Sequence, residues 1–348
     1  MNINISQRIS NIQNNNHFSG TAFVKDDEER VLLDLSFGYA NRSEGLKNLT
    51  STRYGIASGC KLFTSIAICQ LVEKGILSFD STLSECIDIN FPNWDEKITI
   101  HHLLTHTSGI PDYFDEEVMD DFEELWINHP MYHIRRSRDF LPLFQNEHMK
   151  SKLGERFHYN NAGYILLGLV VEQLSGVSFT DYIDVHIFNK AGMMDSGYFA
   201  FDSLPERTAI GYIDNSDGTW KTNIYSLPAK GGPDGGAYVT AKDMMKFWYA
   251  LMNYKLLDEA LTNQLLTAHT QVKEDSFYGY GIWIKKIENN IIKYHVMGYD
   301  PGVSFHSAYF PNSSFKIVVC SNKSSGAFDI TNGIEEELTK IKNPYNHM

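Results

Sequence analysis

Ser58 and Lys61 stand three residues apart in Ala57-Ser58-Gly59-Cys60-Lys61, immediately ahead of an apolar run over 62–72. At helical spacing two such side chains share a face of the first turn and come within hydrogen-bonding range. The serine then has a base beside it, because burial of the lysine by the apolar run would lower its pKa and let it take the hydroxyl proton. Free backbone N–H groups and the dipole at a helix N-terminus would stabilise the oxyanion formed when the serine attacks a carbonyl. A serine cap followed by a solvated lysine gives the same pattern. Ser313-Ser314-Phe315-Lys316 repeats the spacing, but in a turn between two strand-like runs with no helix behind it.

Two later stretches carry matching chemistry. Gly154-Glu155-Arg156-Phe157-His158-Tyr159-Asn160-Asn161 leads into a second apolar helix, expected over 164–174 and stopping near Gly176. Beside an ammonium the Tyr159 phenol would have its pKa lowered and could work as a general base or acid, while the Asn161 amide could orient a substrate amide or the lysine. A packed aromatic at 159 and a helix N-cap at Asn161 are the plainer reading of the same residues. Near the C-terminus, Tyr294-His295-Val296-Met297-Gly298-Tyr299-Asp300-Pro301-Gly302-Val303 follows a hairpin over 281–287 and 291–296 that turns at Asn289-Asn290. Gly298 would let a ligand approach the strand backbone closely, and the Tyr299 N–H would be a second oxyanion donor.

In this order, the three motifs resemble the serine β-lactamase and penicillin-binding-protein superfamily. The nearer likeness is to its class C-like branch of class C β-lactamases, D-alanyl-D-alanine carboxypeptidases, D-aminopeptidases and family VIII esterases. Tyr54-Gly55-Ile56-Ala57-Ser58, Leu71-Val72-Glu73-Lys74-Gly75, His102-Leu103-Leu104-Thr105-His106-Thr107-Ser108-Gly109, Gly235-Gly236-Ala237 and Asp243 agree, over roughly residues 18–325. The resemblance implies an α+β, β-lactamase/transpeptidase-like fold and an acyl-serine hydrolase acting on a β-lactam, D-amino-acid peptide or small ester, with no cofactor. It makes Ser58 the acylated nucleophile, Lys61 its base or base partner, and Tyr159 the proton shuttle or deacylation base. Asn161 would contact the substrate's acyl amide, and the N–H groups of Ser58 and Tyr299 would form the oxyanion hole. A non-catalytic penicillin-recognising sensor is the other reading. One departure matters: the family places Lys or His two residues before the glycine, and here that position is Val296. His295 is one residue earlier and, on a strand, faces the other way unless a bulge intervenes. Loss of that cation predicts weak binding of carboxylate-bearing β-lactams.

The elements that must position these residues come from both ends of the chain. Strand-like runs at 20–24, 31–37, 280–287, 303–310 and 315–320 predict one antiparallel sheet, since a sheet must bury a face. Helices from Leu62 and near 334–341 would cover it. The expected division is a discontinuous sheet domain, 1–85 with 206–348, and a helical insert, 86–205, with the site between them. The acidic, aromatic stretch 112–144 reads either as a solvated face or as a wall of the substrate cleft.

At 348 residues the chain can bury a large core. A net charge of −13 without basic runs argues against nucleic acid as a partner; the resemblance implies a small-molecule or short-peptide substrate, and nothing specifies an oligomer. No leader or membrane segment is visible, so the chain as given reads as cytoplasmic. Cys60, Cys69, Cys86 and Cys320 have neither disulfide nor metal spacing, and Cys60, at a helix start, is a candidate reactive thiol. His102 and His106 are four apart but lack the glutamate of a zinc helix, so no metal is expected.

Overall fold

A computed structural model describes residues 2–342. Among them an eight-stranded antiparallel sheet is built from both ends of the chain, giving an α+β fold. Its strands are β1 (Gly20–Lys25), β2 (Val31–Phe37), β3 (Thr270–Lys273), β4 (Ser276–Tyr278), β5 (Trp283–Ile287), β6 (Asn290–Asp300), β7 (Val303–Phe310) and β8 (Phe315–Ser321). They lie in the order β2-β1-β8-β7-β6-β5-β4-β3, so β1 and β8 pair at the junction of the two chain ends.

Alternation along the strands gives each face its own helices. On one face, Val24, Ile317 and Val319 pack with two terminal helices, α1 (Asn2–Asn16) and α5 (Ala327–Lys342). Helix α1 was not expected. Its Asn- and Gln-rich sequence conceals an Ile5, Ile9, Ile12 stripe that meets α5, reinforced by Arg8 on Glu336 at 2.9 Å. On the other face, Phe23, Val296, Phe305 and Val318 join a larger core with α2 (Lys61–Glu73), α3 (Asn161–Ser175) and α4 (Ala241–Met252). Residues of 86–205, among them Leu103, Leu166 and Ile187, share that core with the sheet.

Helix α2 is buried from Lys61 to Leu71, and the chain leaves it through Gly75 at φ 67°, the left-handed conformation that glycine adopts without penalty. Helix α3 ends the same way at Gly176, φ 75°. Its N-cap is Asn160, whose Oδ1 accepts from Gly163 N–H at 2.8 Å; Asn161, for which a cap was the plainer of two readings, is instead the first helical residue. Among the described residues no single helix is long and apolar enough to cross a membrane, and the one pair that reaches the length together is bent by 79°.

Candidate active site

Ser58 lies in a 3₁₀ turn, Ala57–Cys60, that runs directly into α2. Ala57 has φ 45°, a left-handed conformation costing a residue with a β-carbon on the order of 1–3 kcal/mol, so surrounding contacts must hold the turn. They do so from two sides. Ile56 N–H donates to Ala237 O and Gly236 N–H to Ala57 O. On the sheet side β6 presses against the turn: a β-carbon on Gly298 would stand 2.1 Å from Ile56 O and 2.9 Å from Gly59 N. Gly298 is therefore required for contact between protein segments, where a close approach of ligand had been expected. That contact brings Tyr299, the next residue, to the same cleft as Ser58.

Lys61 is 1% exposed, and its Nζ donates to Ser58 Oγ at 2.9 Å, Asn161 Oδ1 at 2.8 Å and Asp234 O at 2.7 Å. An ammonium has three N–H donors, and all three are used. Burial alone would push its pKa down, as the sequence suggested, but the Tyr159 phenol, the Asp234 carboxylate and the Cys60 thiol outweigh burial and hold it above the usual lysine value. Lys61 therefore rests as a cation.

The Tyr159 phenol faces Ser58 and Lys61, and its ring centroid is 4.9 Å from Lys61 Nζ. Here burial itself reverses the expectation. It raises the phenol's pKa by more than the neighbouring ammonium lowers it, so Tyr159 rests neutral.

Asn161 is committed internally. Its Nδ2 donates to Asp112 Oδ2 at 3.3 Å and Phe114 O at 3.2 Å, which turns Oδ1 toward Lys61. Only one lone pair of that oxygen remains for a substrate. Asp112 fixes this arrangement by also accepting the N–H groups of Asn161 and Ala162, at 2.7 and 2.9 Å.

The third motif divides between the two faces. Val296 is 2% exposed and belongs to the main core, and it does not line the cleft. His295 is on the α5 side, where burial, Lys293 and His306 push its pKa well down. The β6–β7 register runs without a shift from Tyr294 to Asp300, so no bulge turns His295 toward Ser58. Ser313-x-x-Lys316 is elsewhere, with Lys316 ion-paired to Glu29. Cys60 is fully buried and its thiol pushed up to about 12 by that burial, against the reactive thiol expected at a helix start. His102 bonds Thr99 and His106 bonds Asn160 N–H, so the two rings serve different segments.

Sequence reasoning missed the groups behind the site. Asp234 accepts from the Tyr113 hydroxyl and lies in Gly231-Gly232-Pro233-Asp234-Gly235-Gly236, a run of turn formers that marks a tight backbone loop. Thr64 Oγ1 bonds Pro233 O at 2.5 Å, fastening that loop to α2.

The cleft outside Ser58 has a volume of about 470 Å³. Part of the 112–144 stretch forms its wall, through Tyr113, Phe114, Glu116, Asp120, Asp121, Phe122, Glu123 and Phe140. Asp234 and Asp300 add two more carboxylates, and no lysine or arginine lines the cleft among the described residues. Lys221 neutralises Glu123 at 2.6 Å, whereas Glu116, Asp120, Asp121 and Asp300 have no ion-pair partner among the described residues. Burial, Asp234 and Glu116 together push Asp300 up to about 8, against the pull of Lys61.

A family model described as Beta-lactamase matches residues 5–336. The solved penicillin binding protein from Bacillus halodurans is 60% identical, with a TM-score of 0.91 over 94% of this chain and 99% of that one. Penicillin-binding protein 4* of Bacillus subtilis (strain 168) is 29% identical over 325 residues, which is 88% of this chain and 68% of its own length. The octameric penicillin-binding protein homologue from Pyrococcus abyssi superposes with a TM-score of 0.84 at 26% identity, over 99% of this chain and 78% of that one.

Proposed function

The chain belongs to the beta-lactamase family, and from that premise we propose that it is an acyl-serine hydrolase whose nucleophile is Ser58 and whose substrates are neutral or cationic amides and esters. The observation that carries the reading is the contact of Ser58 Oγ with a buried, fully hydrogen-bonded Lys61 at the mouth of a cleft. Lys61 and Tyr159 act as one proton-holding pair. After the pair has lost one proton, the phenolate beside the ammonium accepts the Ser58 proton as Oγ bonds to the substrate carbonyl carbon. The N–H groups of Ser58 and Tyr299 would receive the oxyanion. The tetrahedral intermediate then breaks its bond to the leaving group, which takes the proton from Tyr159 and leaves an acyl-Ser58 ester. Water, giving its proton to the same pair, bonds to the acyl carbon; the bond to Ser58 Oγ then breaks, Oγ takes the proton back from Tyr159, and the acid is released.

The substrate class follows from charge. A substrate carboxylate would enter a cleft of unpaired acids with no cation at Val296 to receive it, while neutral substrates meet no such penalty. Intact-protein mass spectrometry after a fluorophosphonate, and separately after a penicillin, is the test. The native protein should gain one adduct from the fluorophosphonate, Ser58→Ala none, and p-nitrophenyl acetate should be turned over far better than nitrocefin. A fully labelled Ser58→Ala protein would remove the assignment, and labelling without turnover would favour a penicillin-recognising sensor.

A further inference from the structure

His106 is buried to 1% exposure in a left-handed conformation, φ 57°, which among residues other than glycine is adopted most readily by asparagine, aspartate and histidine. It follows the short helix Ile100–Leu104 and makes two hydrogen bonds to one segment of the chain. Its carbonyl accepts the N–H of His158 at 2.8 Å, and its ring Nδ1 accepts the N–H of Asn160 at 3.0 Å. Those two residues are the immediate neighbours of Tyr159. Its ring also rests against the Tyr159 ring, 4.4 Å between centroids, with Trp283 at 6.2 Å stacked on Tyr159 as well.

An acceptor at Nδ1 places the ring proton on Nε2, which is buried with no hydrogen-bond partner among the described residues, and the ring as a whole packs against Tyr159, Tyr164, Tyr278 and Phe157. A second proton would turn Nδ1 into a donor facing the Asn160 N–H. Burial, with Lys61 and His158 nearby, keeps that proton off.

We propose that His106 is a positioning residue for Tyr159: its carbonyl and Nδ1 hold the residues on either side and so aim the phenol at Ser58. The left-handed backbone lets one residue present both acceptors to the same segment. This rests on the reading of Tyr159 as a proton-transfer group.

Two variants separate the acceptor from the ring. His106→Asn tolerates the left-handed backbone and puts Oδ1 near the place of Nδ1; His106→Phe keeps an aromatic ring but has no acceptor. With p-nitrophenyl acetate, kcat should fall roughly ten- to a hundredfold in His106→Phe, with KM within about twofold of native, and His106→Asn should recover most of the loss. Equal losses in the two variants, or a change confined to KM, would overturn the proposal. In the intact native protein, ¹⁵N-histidine NMR should show Nδ1 unprotonated and Nε2–H from roughly pH 6 to 9. A proton on Nδ1, or titration within that range, would overturn it even if His106→Phe does not fold. Tyr159→Phe separates the two readings: if it is fully active the role of Tyr159 itself is wrong, whereas if it is impaired and His106→Phe is not, only the positioning inference fails.

Discussion

Because Lys61 rests as an ammonium and Tyr159 as a neutral phenol, the pair holds one proton too many to act as a base. Both pKa values are raised, so in the proposed mechanism the active form is the one that has lost a proton, and its share grows as pH rises. We therefore expect kcat/KM for a neutral ester to increase with pH across the neutral range without a plateau below pH ~9. Tyr159→Phe should lower kcat roughly 10²- to 10⁴-fold with little change in melting temperature. Pre-steady-state kinetics against pH and a thermal melt check both points; unchanged turnover with a large loss of stability would make Tyr159 a packed aromatic. Ser58 and Lys61 were legible in the sequence because their spacing needs only one turn of helix. Their protonation was not, because it depends on Asp234, which stands 173 positions from Lys61. Likewise, nothing near Asn161 in the chain announces that Asp112 and Phe114 take both of its N–H donors.

At the scale of elements, the site is a contact between strand β6 and the turn that begins α2. Gly298 is where they touch, with no room for a β-carbon between the two backbones. Gly298→Ala should force β6 and the turn apart, destabilising the protein by ~1–3 kcal/mol as overpacking does, and slowing fluorophosphonate labelling of Ser58. A melt and a labelling time course check this; a variant of native stability and rate would show that the contact yields easily. Strand β8 and helix α2 were readable as continuous apolar runs, since both are buried on nearly every side, and β7 as an alternation of Val303 and Phe305 with Ser304 and His306. Strands β3 and β4 were not foreseen, because at the sheet edge their residues are mostly exposed or half-buried and leave no such pattern. Helix α1 was missed because three isoleucines among polar residues carry its whole packing face.

For the molecule as a whole, the net charge of −13 is not spread evenly, for unpaired carboxylates gather at the cleft. A choline ester, whose charge is permanent, should accordingly be hydrolysed roughly three- to thirtyfold more efficiently than its neutral 3,3-dimethylbutyl analogue, with Phe114, Phe122 and Phe199 adding cation–π attraction. Asp300, held up to about 8, supplies its charge only as pH rises through that value, so the preference should grow from pH 6 to 9 and shrink with added salt. Parallel kcat/KM measurements on the two esters test it, and a preference for the neutral one would reverse the reading of the cleft. Composition showed the sign of the charge, and folding decided between the two readings of the acidic 112–144 stretch by putting part of it on the cleft wall.

The pairing of β1 with β8 also bears on the order in which the chain acquires activity. The Ser321 hydroxyl bonds Ser19 O, 302 positions away, and Gly20 lies opposite Ser321. During synthesis β1 and α2 therefore emerge long before β8, the strand that ties β1 to the rest of the sheet. Until then the apolar face of α2 has no sheet to cover it, and Ser58 lacks both the loop that holds Lys61 and the strand that carries Tyr299. Contacts of such separation close slowly and late. In the proposed mechanism an armed Ser58 is thus a property of the finished chain alone, and a ribosome-bound or truncated fragment carrying the serine and lysine would remain chemically silent.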